Sequence, residues 1–325
     1  MDIVSTAQQL ADDVLFPAAL ATDASGTLPA ALLDALAHAG LYGLTGPDWA
    51  GGLDADFPTA CAVVEALASG CLTTTFVWVQ HIGTVLAAAS SGNEAMRDWT
   101  AALSRGERRA GLAGAASPGP AQLVAHETAD GWTFDGVAPF VSGWGLIDVA
   151  HTAARTEDGR VVWALVDAHE SSTLAVERLG LVALNATATM RAAFRAHPVP
   201  AERVTSVSPY REGPTPPAVL RIHAALALGV AGRCCRLLGP TSLDDELLRC
   251  RAELDRLDGQ TIEAARASAG ELALRAAGAL AVNGGSRSLL LDQHAQRLVR
   301  EALFVLVYAL RPGSRASLLA RLGAG

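Results

Sequence analysis

The spacing of apolar residues changes period twice along the chain, and this order constrains the fold more than any single motif. From Ser5 to about Arg109 apolar residues recur at helical intervals: Leu10, Val14 and Leu15, then Leu28, Leu32, Leu33, Leu36 and Leu41, then Val63, Val64, Leu67 and Leu72. Gly46-Pro47 and Gly51-Gly52 break this pattern as loops. Between about Ala110 and Val207 the chain breaks into short β-rich runs, among them Trp132-Thr-Phe, Val161 to Val166 and Leu174-Ala-Val. Asp-Gly, Glu-Asp-Gly and His-Glu-Ser turns separate these runs. After a Pro-rich hinge from Pro209 to Pro217, helical spacing returns and continues to Leu322. The pattern predicts an α+β chain with an N-terminal α-helical domain over 1–109, a middle β-barrel-like domain over 110–208 and a C-terminal α-helical domain over 209–325.

A chain of 325 residues, half of them hydrophobic, can build two or three layers around a substantial core. Its longest uninterrupted apolar stretches, around Ala224 to Ala231 and Ala302 to Leu310, fall short of the ~20 residues that cross a bilayer. No basic region followed by an apolar run opens the sequence, so a cytoplasmic protein with no membrane partner is expected. Cys61, Cys71, Cys234, Cys235 and Cys250 are odd in number and lack paired metal-type spacing, which favours buried or free thiols over a redox or metal role. A net charge of −8 argues against a nucleic-acid surface. All 25 basic residues are arginine, which excludes a Schiff-base or P-loop lysine. With the abundant alanine, it suggests a GC-rich genome.

Several segments carry a common resemblance. Tyr42-Gly-Leu-Thr-Gly-Pro-Asp-Trp-Ala-Gly51-Gly52-Leu ends in a Gly-Gly-Leu loop, and Glu65-Ala-Leu-Ala is followed by His81. Phe194 to Pro200 has the form Phe-x-x-x-x-Val-Pro, and Asn283-Gly284-Gly285 makes a Gly-Gly turn. The closing segment runs from Arg300 through Tyr308-Ala-Leu-Arg-Pro-Gly313 to Arg321. Together with the strands from Gly136 to Ala154, these resemble the flavin-dependent acyl-CoA dehydrogenase family over essentially the whole chain. The closing segment resembles its Arg-Asp-x-Arg…Ile-Tyr-Glu-Gly-Thr-x-Glu-Ile…Ile-Ala-Arg ending, with the Tyr308 to Arg321 spacing intact.

The resemblance implies α,β-dehydrogenation of an acyl-CoA thioester, in which a carboxylate takes the α-proton and FAD accepts the hydride. It places Gly313 where the glutamate base is expected, so no catalytic residue is assigned there. Some members carry the base on the helix after the β-domain, but Ala218 to Gly229 contains no acid. In that helix His223 reads either as a packed or surface histidine or as a proton acceptor near neutral pH. Arg221 reads either as a substrate contact or as part of a solvated face.

The flavin-binding features implied by the family are thinned. Its Trp-x-Ser/Thr pair appears as Phe140-Val141-Ser142, where Phe140 offers an apolar face and Ser142 a hydrogen bond to the flavin; the alternative is an ordinary strand. Its Thr-Glu-Pro and Gly-Ser-Asp elements correspond to Ala116-Ser117-Pro118 and Gly119-Pro-Ala-Gln. Its Arg-x-x-x-Phe-Gly element, which meets a neighbouring subunit's flavin pyrophosphate, corresponds to a segment beginning Gly232-Arg-Cys-Cys-Arg and running into Asp-Asp-Glu. A glutamine before the Gly-Gly turn has become Ala281. Gly284 and Gly285 remain, either to admit an adenosine diphosphate group against bare backbone or simply to end a helix.

With these coordinated losses the resemblance implies a base-less subunit of a heteromeric, heterotetrameric FAD-dependent acyl-CoA dehydrogenase of lipid or steroid side-chain metabolism. A catalytically intact dehydrogenase subunit would be its partner, an acyl-CoA thioester the substrate, and the FAD shared with or supplied by that partner. The competing readings are a flavin-dependent monooxygenase and a flavin-free assembly protein.

Overall fold

A computed structural model describes residues 2–114 and 119–324. The N-terminal segment forms α1 (Ile3–Leu10), α2 (Phe16–Ser25), α3 (Ala30–His38), α4 (Phe57–Gly70), α5 (Leu72–Ala89) and α6 (Met96–Ser104). Asp2 starts α1 by accepting from the Ser5 backbone N–H, and Asp56 starts α4 through Thr59 in the same way. A π-helical segment, Ala11–Leu15, joins α1 to α2. The Gly46-Pro47 and Gly51-Gly52 loops stand where the sequence places them, and Gly52 is required there because a Cβ would overlap the Gly46 carbonyl.

The middle segment supplies β1 (Ala110–Gly114), β2 (Leu123–Thr128), β3 (Gly131–Val141), β4 (Val149–Arg155), β5 (Arg160–Asp167), β6 (Leu174–Arg178), β7 (Met190–Pro200) and β8 (Val204–Pro209). They form a sheet in the order β6-β7-β3-β2-β4-β5-β8, with β1 pairing parallel to β4. The Trp132, Val161 and Leu174 runs lie in β3, β5 and β6, as their β-branched and aromatic content predicts. The Ala116-Ser117-Pro118 stretch lies outside the described residues.

The C-terminal segment forms α7 (Pro217–Leu238), α8 (Ser242–Asp255), α9 (Ile262–Gly284), α10 (His294–Val307) and α11 (Pro312–Arg321). Asp244 and Asp245 fall in the first turn of α8, where Asp244 completes a capping box with Thr241, so the acidic run has a local structural role. Two of the helices, α5 and α7, are long and apolar enough to cross a membrane by composition, whereas the sequence reading counted only shorter uninterrupted runs. The helices extend beyond those runs because Thr, His and Gly are tolerated within them, and most of each is buried inside the protein as core.

Two cores result. The larger unites α1 to α5 with α7 to α10 around Leu33, Leu67, Trp78, Leu228 and Ala273; the smaller fills the sheet around Phe134, Val162 and Phe194. Helix α5 joins them, because Val85 and Ala88 meet Ala110, Val149 and Leu165 in a third cluster. His81 fixes this junction. Its Nδ1 accepts from the Ala110 N–H at 3.0 Å, so its Nε2–H donates to the Leu103 carbonyl at 3.0 Å. Burial pushes its pKa down to about 4, and the neutral ring is the form this pairing uses.

Candidate active-site cleft

Helix α7 carries His223, and α10 ends at Phe304 and Tyr308. The His223 and Tyr308 ring centroids lie 5.0 Å apart, Phe304 stacks on Tyr308 at 5.3 Å, and Phe76 from α5 meets both Phe304 (4.8 Å) and Tyr308 (5.0 Å). The two segments that the sequence reading searches for a base, 218–229 and the stretch after Tyr308, therefore converge on one aromatic cluster.

Two arginines act on this cluster. Arg266 of α9 is 2% exposed and donates through Nη2 to the carbonyls of Val305 (2.7 Å) and Tyr308 (3.1 Å), satisfying the open end of α10. It has no carboxylate partner among the described residues, and its Nη1 is buried without a hydrogen bond. The charges acting on His223 are those of Arg266 and Arg311, and the one acting on Tyr308 is Arg266. Burial first, then these cations, push His223 down to about 3, and its Nδ1 is buried without a partner. An imidazole so acidic in its protonated form is a weak base, which disfavours His223 as a proton acceptor near neutral pH. Burial pushes the Tyr308 phenol up to about 12.

Gly313 is in the first turn of α11, and a Cβ there would overlap the carboxylate of Glu263 from α9. The contact is with the flexible end of Glu263, so a Cβ there would displace that carboxylate rather than clash with backbone. With Tyr308 and Arg321 as anchors, the first acidic position of the resembled motif falls on Ala309 and the second on Gly313. Neither residue supplies a carboxylate. Ala309 adopts a left-handed backbone (φ 51°) that turns the chain between α10 and α11.

Arg221 is neither on a solvated face nor free for a substrate. It is 3% exposed and donates through Nε to Asp255 at 2.7 Å, tying α7 to α8; the sequence reading missed this because Asp255 lies 34 residues away. Arg233, in the segment matched to the pyrophosphate arginine, is also internal. It donates to the Ser69 carbonyl at 2.5 Å, pairs with Asp12 and lies over the Phe16 ring at 4.1 Å.

Phe140 on β3 is 63% exposed, so one ring face is free for a flat ligand. Ser142 is buried, and its proton is already committed. Thr187 donates to the Leu184 carbonyl (2.7 Å), which leaves Thr189 to donate to Thr187 (2.8 Å) and Ser142 to donate to Thr189 (2.7 Å). For Ser142 to donate to a ligand, it must give up its bond to Thr189, or the chain of hydroxyls must reverse and abandon Leu184. Gly284 ends α9, where a Cβ would overlap the Ser288 Oγ, and Gly285 (φ 59°) reverses the backbone beside open space. A helix-ending role accounts for both glycines. No hydrogen bond or ring contact among the described residues joins Phe140 and Ser142 to Gly284 and Gly285.

Two connected cavities open elsewhere, at the end of β5. The larger, about 610 Å³, is lined by Asp98, Trp99, Arg108, Asp148, Asp167 and Arg203, among others. Its cations are already paired, Arg203 with Asp167 at 3.1 Å and Arg108 with Asp148 at 3.5 Å, so it presents little uncompensated charge.

Sequence reasoning missed Phe76, Arg266, Phe304 and Arg311. Of these, only Arg311 left a signal, a cation within the divergent stretch after Tyr308.

Residues 1–107 match the acyl-CoA dehydrogenase N-terminal domain. No curated protein sequence matches the chain. Among solved structures, butyryl-CoA dehydrogenase from Megasphaera elsdenii superimposes with a TM-score of 0.81 at 17% identity, covering 100% of this chain and 98% of that one. A glutaryl-CoA dehydrogenase from Mycobacterium smegmatis in complex with FADH2 gives 0.79 at 18%, covering 100% and 94%. A dibenzothiophene monooxygenase from Paenibacillus gives 0.80 at 16%, covering 99% and 97%. At these identities the likeness establishes the fold: helical N-terminal domain, central sheet and C-terminal helices in the acyl-CoA dehydrogenase arrangement.

Proposed function

We propose that this chain is a base-less subunit of an FAD-dependent acyl-CoA dehydrogenase, paired with an intact subunit that removes the α-proton of an acyl-CoA, including a steroid side-chain thioester. One observation carries the reading: the two segments that would bear the base meet at His223 and Tyr308, and neither carries a carboxylate, the acid against Gly313 being Glu263 from α9. α-Proton removal needs an acceptor fixed beside the substrate, and a histidine pushed down to about 3 is a poor one.

The residues present fit FAD only in part. The exposed Phe140 ring suits stacking on a flavin, and the open side of Gly285 suits a close backbone approach, but Ser142 has no free proton to offer. When bound, the flavin would supply the hydride acceptor; this chain's own contribution would be the exposed ring of Phe140. The FADH2-bound and butyryl-CoA relatives of the same fold support the cofactor and substrate class.

Co-expression with a dehydrogenase-like chain, followed by size exclusion and flavin absorbance, tests the reading. A mixed oligomer carrying flavin is the expected result. A stable homo-oligomer with one flavin per chain overturns the partner model.

The dibenzothiophene monooxygenase of the same fold favours a second reading, a flavin monooxygenase, since oxygen transfer needs no α-proton base. Faster oxidation of reduced flavin in the presence of the isolated chain would favour it. Absence of flavin from both the isolated chain and the complex would instead leave an assembly protein that keeps only the fold.

A further inference from the structure

The two segments that would bear a base converge on rings that already fill the space between them. A base removes a proton only from within about 3 Å, so an acyl group served from either segment must pass beside His223 and Tyr308. Phe304 lies nearly parallel to Tyr308, at 5.3 Å and 12°. Phe76 meets Phe304 at 4.8 Å and 77° and Tyr308 at 5.0 Å and 88°, and the His223 ring stands against Tyr308 at 5.0 Å. Rings at these separations are in direct contact. An aliphatic chain threaded between any two of them must part them by roughly 4 Å, the depth of one more layer of carbon. Phe76 is 6% exposed and belongs to the large helical core, against which Phe304 and Tyr308 also pack.

The cluster is held from behind as well. Arg266 of α9 donates to the carbonyls of Val305 and Tyr308, at 2.7 and 3.1 Å, and the Tyr308 N–H donates to the Phe304 carbonyl at 2.8 Å. The last turn of α10, which carries both rings, is thereby pinned to α9. We infer that Phe76, Phe304 and Tyr308 set the specificity of this chain by occupying the room that an acyl group needs, so that the isolated chain makes no distinction between an acyl-CoA and free CoA. The inference rests on the proposed function for the place of the missing base, and it adds that the chain lacks the acyl pocket too. Loss of a carboxylate alone would leave an open pocket that still binds thioester. Packed rings remove the binding with the chemistry.

Calorimetry with butyryl-CoA and free CoA on the isolated full-length chain tests this. The wild-type chain is expected to bind the two with equal affinity, or to bind neither. A buried methylene is worth about fourfold in affinity, so an open pocket would favour butyryl-CoA by about tenfold or more. A preference of that size in the wild-type chain overturns the inference without any variant. Phe76→Ala combined with Phe304→Ala is expected to open a dry apolar slot and create a preference for butyryl-CoA of about tenfold. Phe76→Leu combined with Phe304→Leu disturbs the packing less and should create a smaller one, with thermal melting confirming which variants fold. Phe134→Ala makes its cavity in the separate core of the sheet and should create none. If the folded double variants show no preference, or if Phe134→Ala shows the same one, the rings are not what excludes the acyl group and the inference falls. The base-less reading is decided separately, by copurification with a dehydrogenase-like chain and by the flavin content of the complex.

Discussion

The two ends of α10 handle buried charge in opposite ways. At its start, Arg297 is 1% exposed and pairs with Glu301, His294 stacks on Phe16 at 4.0 Å, and the His294 Nδ1 lies 3.2 Å from the Arg297 Nη2. At its end, Arg266 meets only carbonyls, and the ring of His223 has a buried nitrogen with no partner. The same two residue types thus make an ion-paired joint at one end and a carbonyl-bound cation at the other. Each end still holds a buried polar atom with no hydrogen bond among the described residues, Glu301 Oε2 at the first and His223 Nδ1 at the second.

The contrast is most easily broken at the closed end. Arg297→Met leaves Glu301 buried without its cation and is expected to cost about 3–5 kcal/mol, read from the denaturation midpoint. His223→Phe removes an unpartnered nitrogen from a ring cluster and should change stability by less than about 1 kcal/mol in the same assay. If the two losses prove equal, the distinction between an ion-paired and a carbonyl-bound end of α10 fails.

The turn between α10 and α11 gives the next effect in size. Ala309→Gly relieves a left-handed backbone and should stabilise by about 1 kcal/mol, seen as a rise in melting temperature. Gly313→Ala meets only the flexible end of Glu263 and should change stability by less than about 1 kcal/mol in the same assay. A large loss at Gly313 would mean that the Glu263 carboxylate is fixed in place.

The pH response sharpens the comparison further. His81, His151 and His294 are held down to about 4, and His223 to about 3, chiefly by burial. Since the unfolded ring titrates near 6.5, their contribution is fully present above that value and is lost as pH falls from about 6.5 toward 4. Each of the deeply buried His81, His151 and His223 adds up to about 1.4 kcal/mol per pH unit in that window and the half-buried, solvent-screened His294 less, while Glu301, whose carboxyl burial pushes up, acts in the opposite sense. His223→Phe should remove one proton's worth of this slope in denaturation measured between pH 6.5 and 5. An unchanged slope would mean that His223 is not held neutral by its surroundings.

The three-part order was legible from sequence because period 3.6 and period 2 are local properties of the chain. The strands around Trp132, Val161 and Leu174 and the turns between them followed the same logic. The site was legible only as an absence. That Ala218 to Gly229 lacks an acid is a statement about composition, and it holds in any fold. That Arg221 is an internal tie to Asp255, that the Ser142 proton is committed to Thr189, and that Glu263 fills the space beside Gly313 depend on contacts between residues 34, 47 and 50 positions apart.

The sequence by itself determined the succession of helices and strands and the lack of a carboxylate on either base-bearing segment, because both are written in consecutive residues. Only the tertiary structure decided that those two segments face each other and that Arg266 and Glu263 of α9 reach them. Arg266 reaches the end of α10 from a different helix, and burial, which sets whether such a charge counts, is a property of the packed chain rather than of any stretch of it.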